Sequence, residues 1–141
     1  MTTLHVNKEK INIDHLGPAQ LAYIGDAVYE ICIRQYLLGT GISKPGRLQK
    51  LAEGYVKAQT QHKALEAIRA LLTAEEDAIV LRGRNHKHKT RPKNATVEEY
   101  NNATGFEALI GYLYLKGRSQ RIDEIVAAAI QSGTEEDERV R

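Results

Sequence analysis

Cysteine is almost missing from this chain of 141 residues: there is one, Cys32, which can form neither an internal disulfide nor a thiolate metal cage. A bridged scaffold is excluded, and a reducing compartment, the cytosol, is expected. Proline is scarce at 3, and a composition 42% hydrophobic and 27% charged is ordinary for a globular protein, which excludes disordered and fibrous classes. Long apolar runs are missing as well. The N-terminal MTTLHVNKEKIN is polar and has no apolar signal core. The low-charge stretches 15–29 and 100–115 each carry an acid and glycines, short of the roughly 18 clean apolar residues of a membrane span. Neither a secretory leader nor a span is expected. No alternating β-branched run bounded by turns reads as a strand, and no repeat recurs at solenoid spacing. What remains is one all-α domain of five to seven helices, long enough to bury about 68% of its unfolded surface.

The net charge of +2 hides an asymmetry. Residues 82–96, RGRNHKHKTRPKNAT, hold six Lys/Arg, two His and no acid, so the rest of the chain sums to −4. A basic patch on a mildly acidic body points to an anionic partner, although many charge runs are only solvated faces.

Helix signals punctuate the sequence. Gly17-Pro18 opens a helix carrying Leu21, Ile24, Val28 and Ile31, which Gly39 and Gly41 close. A second helical region, 46–72, follows Ser43 and Pro45, with Gly54 as its expected break. Thr73-Ala-Glu-Glu76 and Thr96-Val-Glu-Glu99 are capping boxes, starting helices to near Gly83 and to about Lys116. Ser119 caps a last helix expected to end at Gly133, leaving 134–141 as a flexible charged tail with no room for a further nucleic-acid domain.

Two of these helices each hide one acid. AQLAYIGDAVYEICI, residues 19–33, is apolar on nearly every side, as expected of a helix buried against its own core and against something else. Asp26 sits in its middle beside Gly25, and a glycine in a helix suggests close backbone approach. ATGFEALIGYLYL, residues 103–115, repeats the device with Glu107 as its only charge, flanked by Gly105 and Gly111. A buried carboxylate must be paired, protonated or metal-bound. Packed together, the two helices would join two hard oxygen ligands suited to Mg²⁺ or Mn²⁺; the ordinary alternative pairs each acid with a cation or a helix end. No His or Cys pair stands at zinc-ligand spacing. Glu30 shares the face of Asp26, either supporting the ligands or pairing with Arg34. Tyr23, Tyr29 and Ile33 are candidates for a partner-facing surface, or for simple core.

LAYIGDAVYE resembles the signature helix of the ribonuclease III family, whose usual form is close to LEFLGDAVLE. GFEALIGYLYL is similar to that family's AFEALIGAIYLD segment, and KPGRLQKLAEGYV, between the two, to its LTxxRAxLV helix. Order and spacing agree from about Leu16 to Lys116, so 1–133 reads as a ribonuclease III-like catalytic domain. Without the usual double-stranded-RNA-binding domain, and with a basic loop before the second motif, it is similar to the Mini-ribonuclease III group of bacteria and plastids.

The resemblance implies that Asp26 and Glu107 are both catalytic and metal-binding. The family has acids four and seven residues before this aspartate and an aspartate three before this glutamate; here those positions are Ala22, Ala19 and Thr104. Thr104 and Glu30 are left to support the ligands, with water or RNA phosphate completing the metal's shell. The implied activity is Mg²⁺-dependent hydrolysis of double-stranded RNA (Mn²⁺ as a substitute), leaving 5′-phosphate and 3′-hydroxyl ends with a short 3′ overhang. The implied substrate is a stem of precursor 23S ribosomal RNA, cut by a cytoplasmic homodimer with no membrane partner. Arg82, Arg84, Lys87, Lys89, Arg91 and Lys93 are the expected RNA contacts, with His86 and His88 adding charge at lower pH. Two other readings stand beside this one. The missing acids suggest a catalytically weak RNA-binding ribosome-assembly factor on the same fold, and a helical interaction module would make Asp26 and Glu107 merely structural.

Overall fold

Helix starts follow from local side-chain chemistry in a computed structural model that describes residues 6–86 and 93–140, with side chains to 133. Helix α1, Pro18–Gly39, opens with proline at its first position and Gly17 extended, the Gly17 N–H donating to Gln20 Oε1 at 2.9 Å. Two reciprocal capping boxes start α4, Ala74–Arg84, and α5, Val97–Leu115. In each, the threonine hydroxyl accepts from the third helical N–H, at 3.1 Å for Thr73 and 3.0 Å for Thr96. Among the described residues there is no strand, and no helix is long and apolar enough to cross a membrane.

Two boundaries differ from the sequence reading. The region 46–72 is divided into α2, Pro45–Val56, and α3, Ala58–Ile68, and the break is Lys57, extended at φ −71°, ψ 155°, rather than Gly54. Gly54 stays helical, and Thr60 donates its hydroxyl to the Gly54 carbonyl at 2.6 Å, closing the bend by a side chain. The last helix, α6, is Ser119–Val140 and runs past Gly133. A helical glycine costs only about 1 kcal/mol, and the good helix formers after it continue the element.

α5 is the axis of the fold. It packs mainly on α1, then on α4 and α3, while α6 closes over α3 and the end of α5. Phe106, Leu109, Ile110 and Leu113 of α5 are fully buried among Tyr29 and Ile33 of α1, Leu65 and Ile68 of α3, and Ile122 and Ile125 of α6. Tyr29 meets Phe106 edge-on at 5.0 Å, an arrangement worth about 0.5–1.5 kcal/mol beyond its buried area. Tyr29 and Ile33 are therefore core, not partner-facing surface; Tyr23, at 84% exposure, is the one of the three that faces outward. Far from the acid pair, buried Glu76 accepts two bonds of 2.8 Å from Arg121, whose Nη2 also donates to the Leu71 carbonyl. That ion pair ties α4 to α6.

Candidate active site

Glycines bring α1 and α5 to backbone contact. A Cβ added at Gly25 would stand 1.8 Å from the Glu107 carbonyl oxygen, and one at Gly111 would stand 2.0 Å from the Leu21 carbonyl oxygen. No side chain fits at either point. The two acids flank this seam, and their carboxyls interact across it. The sequence reading expects both acids to be hidden, each in its own apolar helix. Instead Asp26 lies at the exposed rim, because the outer face of α1 is open, and Glu107 is the shielded partner. Burial first, and then the hydrogen bond and charge of Asp26, push the Glu107 carboxyl up to about 8. The Gln61 amide acts in the opposite direction, favouring the anion.

Two carboxyls in contact repel when both are ionised, so one proton or one cation must lie between them. Asp26 and Glu107 offer only oxygen donors, which fits a hard divalent cation with most of its shell left to water or phosphate. Among the described residues, no group of three His, Cys, Asp or Glu stands at metal-binding separation. Thr104 is buried and donates its hydroxyl to the Tyr100 carbonyl at 3.0 Å, one turn back along α5. Ala22 is half-buried and Ala19 exposed. Glu30 accepts from Arg34 at 2.8 Å in an i,i+4 pair on the solvent side of α1.

The basic segment is joined to the same seam. A Cβ on Gly83 would stand 2.6 Å from the Gly105 Cα, and one on Gly105 would stand 2.8 Å from the Val80 carbonyl. α4 thus ends against α5 two residues from Glu107. The Arg84 stem crosses this contact, and its Nε is buried without a hydrogen-bond partner. Arg82 donates to the Leu16 carbonyl at 3.2 Å, tying the end of α4 to the entry of α1. Lys93 is exposed, while Lys87, His88, Lys89 and Arg91 lie outside the described residues. At the far end of the segment Ala95 is buried, and the Asn94 carbonyl accepts from Gln59 of α3.

Sequence reasoning missed the first turn of α3. Four consecutive polar side chains there each reach another part of the chain: Gln59 the Asn94 carbonyl, Thr60 the Gly54 carbonyl of α2, and Gln61 and His62 the Glu107 carboxyl and, at 2.7 Å, the Asn102 amide of α5. Gln61 is 1% exposed. AQTQHKALEAI reads as an ordinary solvated helix start, and nothing in its spacing marks one glutamine as buried beside an acid.

The family model described as "Ribonuclease III domain" matches residues 19–118. The Mini-ribonuclease 3 of Brevibacillus brevis is 44% identical over 126 residues, covering 88% of this chain and 94% of that protein. The Mini-ribonuclease 3 of Enterococcus faecalis is 45% identical over 126 residues, covering 88% and 96%. A crystal structure of a Fusobacterium nucleatum protein superposes with a TM-score of 0.77 at 34% identity, covering 86% of this chain and 98% of that one.

Proposed function

The chain belongs to the ribonuclease III family, and from that premise we propose that it is an endoribonuclease hydrolysing double-stranded RNA at the Asp26–Glu107 pair with Mg²⁺. The observation that carries this reading is the contact between the two carboxyls, one shielded and one at the rim, fixed by a backbone seam on which neither helix can shift. Asp26 and Glu107 would hold the cation. The chemistry Mg²⁺ (or Mn²⁺ in its place) would supply there is a lowered pKa for a bound water and polarisation of a phosphoryl oxygen. Asp26 is exposed and open to an approaching RNA, while Glu107 is half-buried on α5. Arg84 stands next to Gly105 of α5, and together with Arg82, Lys87, Lys89, Arg91 and Lys93 it would grip phosphates, giving shape preference over sequence preference.

The substrate we assign is a double-stranded stem of precursor 23S ribosomal RNA in the cytoplasm, on the strength of the family resemblance. A duplex has two strands and one chain has one acid pair, so a two-fold dimer matches the pseudo-symmetry of the substrate. The open face of α1 supports this: Tyr23, Ile31 and Leu38 are 84%, 52% and 62% exposed and share one helical stripe beside Asp26. Light scattering should then give about twice the chain mass of 15.8 kDa.

The activity test is direct. Purified protein with duplex RNA and Mg²⁺ should release internal cleavage products, and Asp26→Asn should keep its fold while losing roughly 10³-fold or more in rate. If the wild-type protein binds duplex RNA without cutting it, the assembly-factor reading replaces this one. If Asp26→Asn cuts at a near-normal rate, the site lies elsewhere.

A further inference from the structure

Gln61 is a polar side chain in an apolar place. It is 1% exposed on the inner face of α3, next to Ala64 and Leu65, which are core. A buried amide N–H normally has a partner, because water can no longer serve it. The Gln61 Nε2 has none of good geometry. The charge it faces is the carboxyl of Glu107, close enough to favour the anion but short of a well-formed hydrogen bond. The same carboxyl interacts with Asp26 across the seam. The amide is thus a buried donor without a partner, facing the Glu107 carboxyl.

We propose that Gln61 is a positioning residue for Glu107: its buried amide donates to the carboxylate once the two acids are separated by a divalent cation, and fixes the rotamer in which Glu107 shares that cation with Asp26. The rest of the turn makes Gln61 a rigid support. Its neighbours Thr60 and His62 are bonded to Gly54 and Asn102, and His62 Nε2 is in turn 2.8 Å from Glu66. Supporting residues of this kind orient a metal's ligands and tune its affinity, and their removal typically costs about 10–100-fold in affinity or activity.

The inference rests on the reading of Asp26 and Glu107 as cation holders, so the experiment measures binding as well as cleavage. Mn²⁺ is titrated calorimetrically into the full-length wild-type chain, Gln61→Leu and Gln61→Met, the last a flexible side chain of similar length should leucine not fold. The expected result is a Mn²⁺ Kd raised about 10–100-fold in both variants. Their metal-free melting midpoints should be equal to or above that of the wild type, since an unmatched buried donor has gone. With duplex RNA, kcat at fixed metal should fall by a similar factor while KM for RNA holds, and excess Mn²⁺ should restore the rate. A folded variant with Kd and kcat within about twofold of the wild type overturns the role of Gln61 alone and makes it a core filler. A wild-type chain that takes up no Mn²⁺ overturns the cation-site reading, and this inference with it.

Discussion

Gly25 and Glu107 touch through main chain: the hydrogen of the Gly25 Cα occupies space in which a methyl carbon would lie 1.8 Å from the Glu107 carbonyl oxygen. The separation of the two acids is therefore set by backbone against backbone, not by side chains that could repack. Gly25→Ala should destabilise the protein by at least about 3 kcal/mol, at the upper end of overpacking effects, because neither helix can move without breaking the central contact. Gly54→Ala is the matched control. Gly54 is helical with nothing within 4 Å of an added Cβ, and it should gain about 0.5–1 kcal/mol. Urea unfolding midpoints check both, and equal shifts would contradict the seam.

The proton on Glu107 makes a pH prediction with a definite sign. In the unfolded chain a glutamate titrates near about 4.3, whereas in the folded, metal-free protein Glu107 does so at about 8. The folded state binds the extra proton between those values, so stability from this group is complete below about pH 4 and is lost as pH rises through 8. In EDTA, melting midpoints between pH 5 and 9 should fall more steeply for the wild type than for Glu107→Gln. Parallel curves would mean that the carboxyl is not held protonated.

Glu76 and Arg121 give the opposite case. Two bonds from Arg121 hold the Glu76 carboxyl below the usual carboxylate range despite its burial. The folded value lies below the unfolded one, so this stabilisation is present at neutral pH and is lost on acidification. Arg121→Met leaves Glu76 buried and unpaired, and should cost about 2–3 kcal/mol at pH 7, discounted from a fully enclosed pair because Arg121 is partly exposed. Thermal melts at pH 7 and pH 3 should show the difference shrinking at the lower pH.

Replacing Lys87, Lys89 and Arg91 with alanine separates binding from chemistry. These residues lie outside the described part of the structure, and the expectation follows from charge alone. RNA affinity should fall, and its salt dependence should flatten by about one unit of slope for each phosphate no longer neutralised. Melting should hardly move. At saturating RNA the cleavage rate should change much less than at low RNA, because uniform binding alters KM rather than kcat. Unchanged affinity and slope would leave this segment a solvated face.

Much of the fold and of the acid pair is legible in the sequence. Thr73 and Thr96 announce their helices because a hydroxyl and a glutamate three residues on satisfy each other's backbone donors locally. Asp26 beside Gly25 and Glu107 between two glycines point to a close contact of two acid-bearing helices, since a buried glycine and a lone acid are both costly without a reason. What escapes is tertiary. Which side of α1 is open decides whether Asp26 or Glu107 is the shielded acid, and Tyr29 and Ile33 fall on the core side. Gln61 cannot be singled out, because a buried polar group is defined by neighbours from another helix rather than by its own sequence. The break at Lys57 instead of Gly54 depends on the Thr60 hydroxyl reaching back, a preference weaker than glycine's and hidden behind it.

The two anchors of the basic segment carry a practical consequence. Gly83 is wedged on Gly105 at one end, and the Asn94 carbonyl is held by Gln59 at the other, with Ala95 buried beside it. Both anchors are main-chain features, a glycine contact and a carbonyl, so neither depends on the basic side chains of the segment. Recharging the segment by substitution therefore leaves these two moorings, and with them the frame of the carboxyl pair, in place.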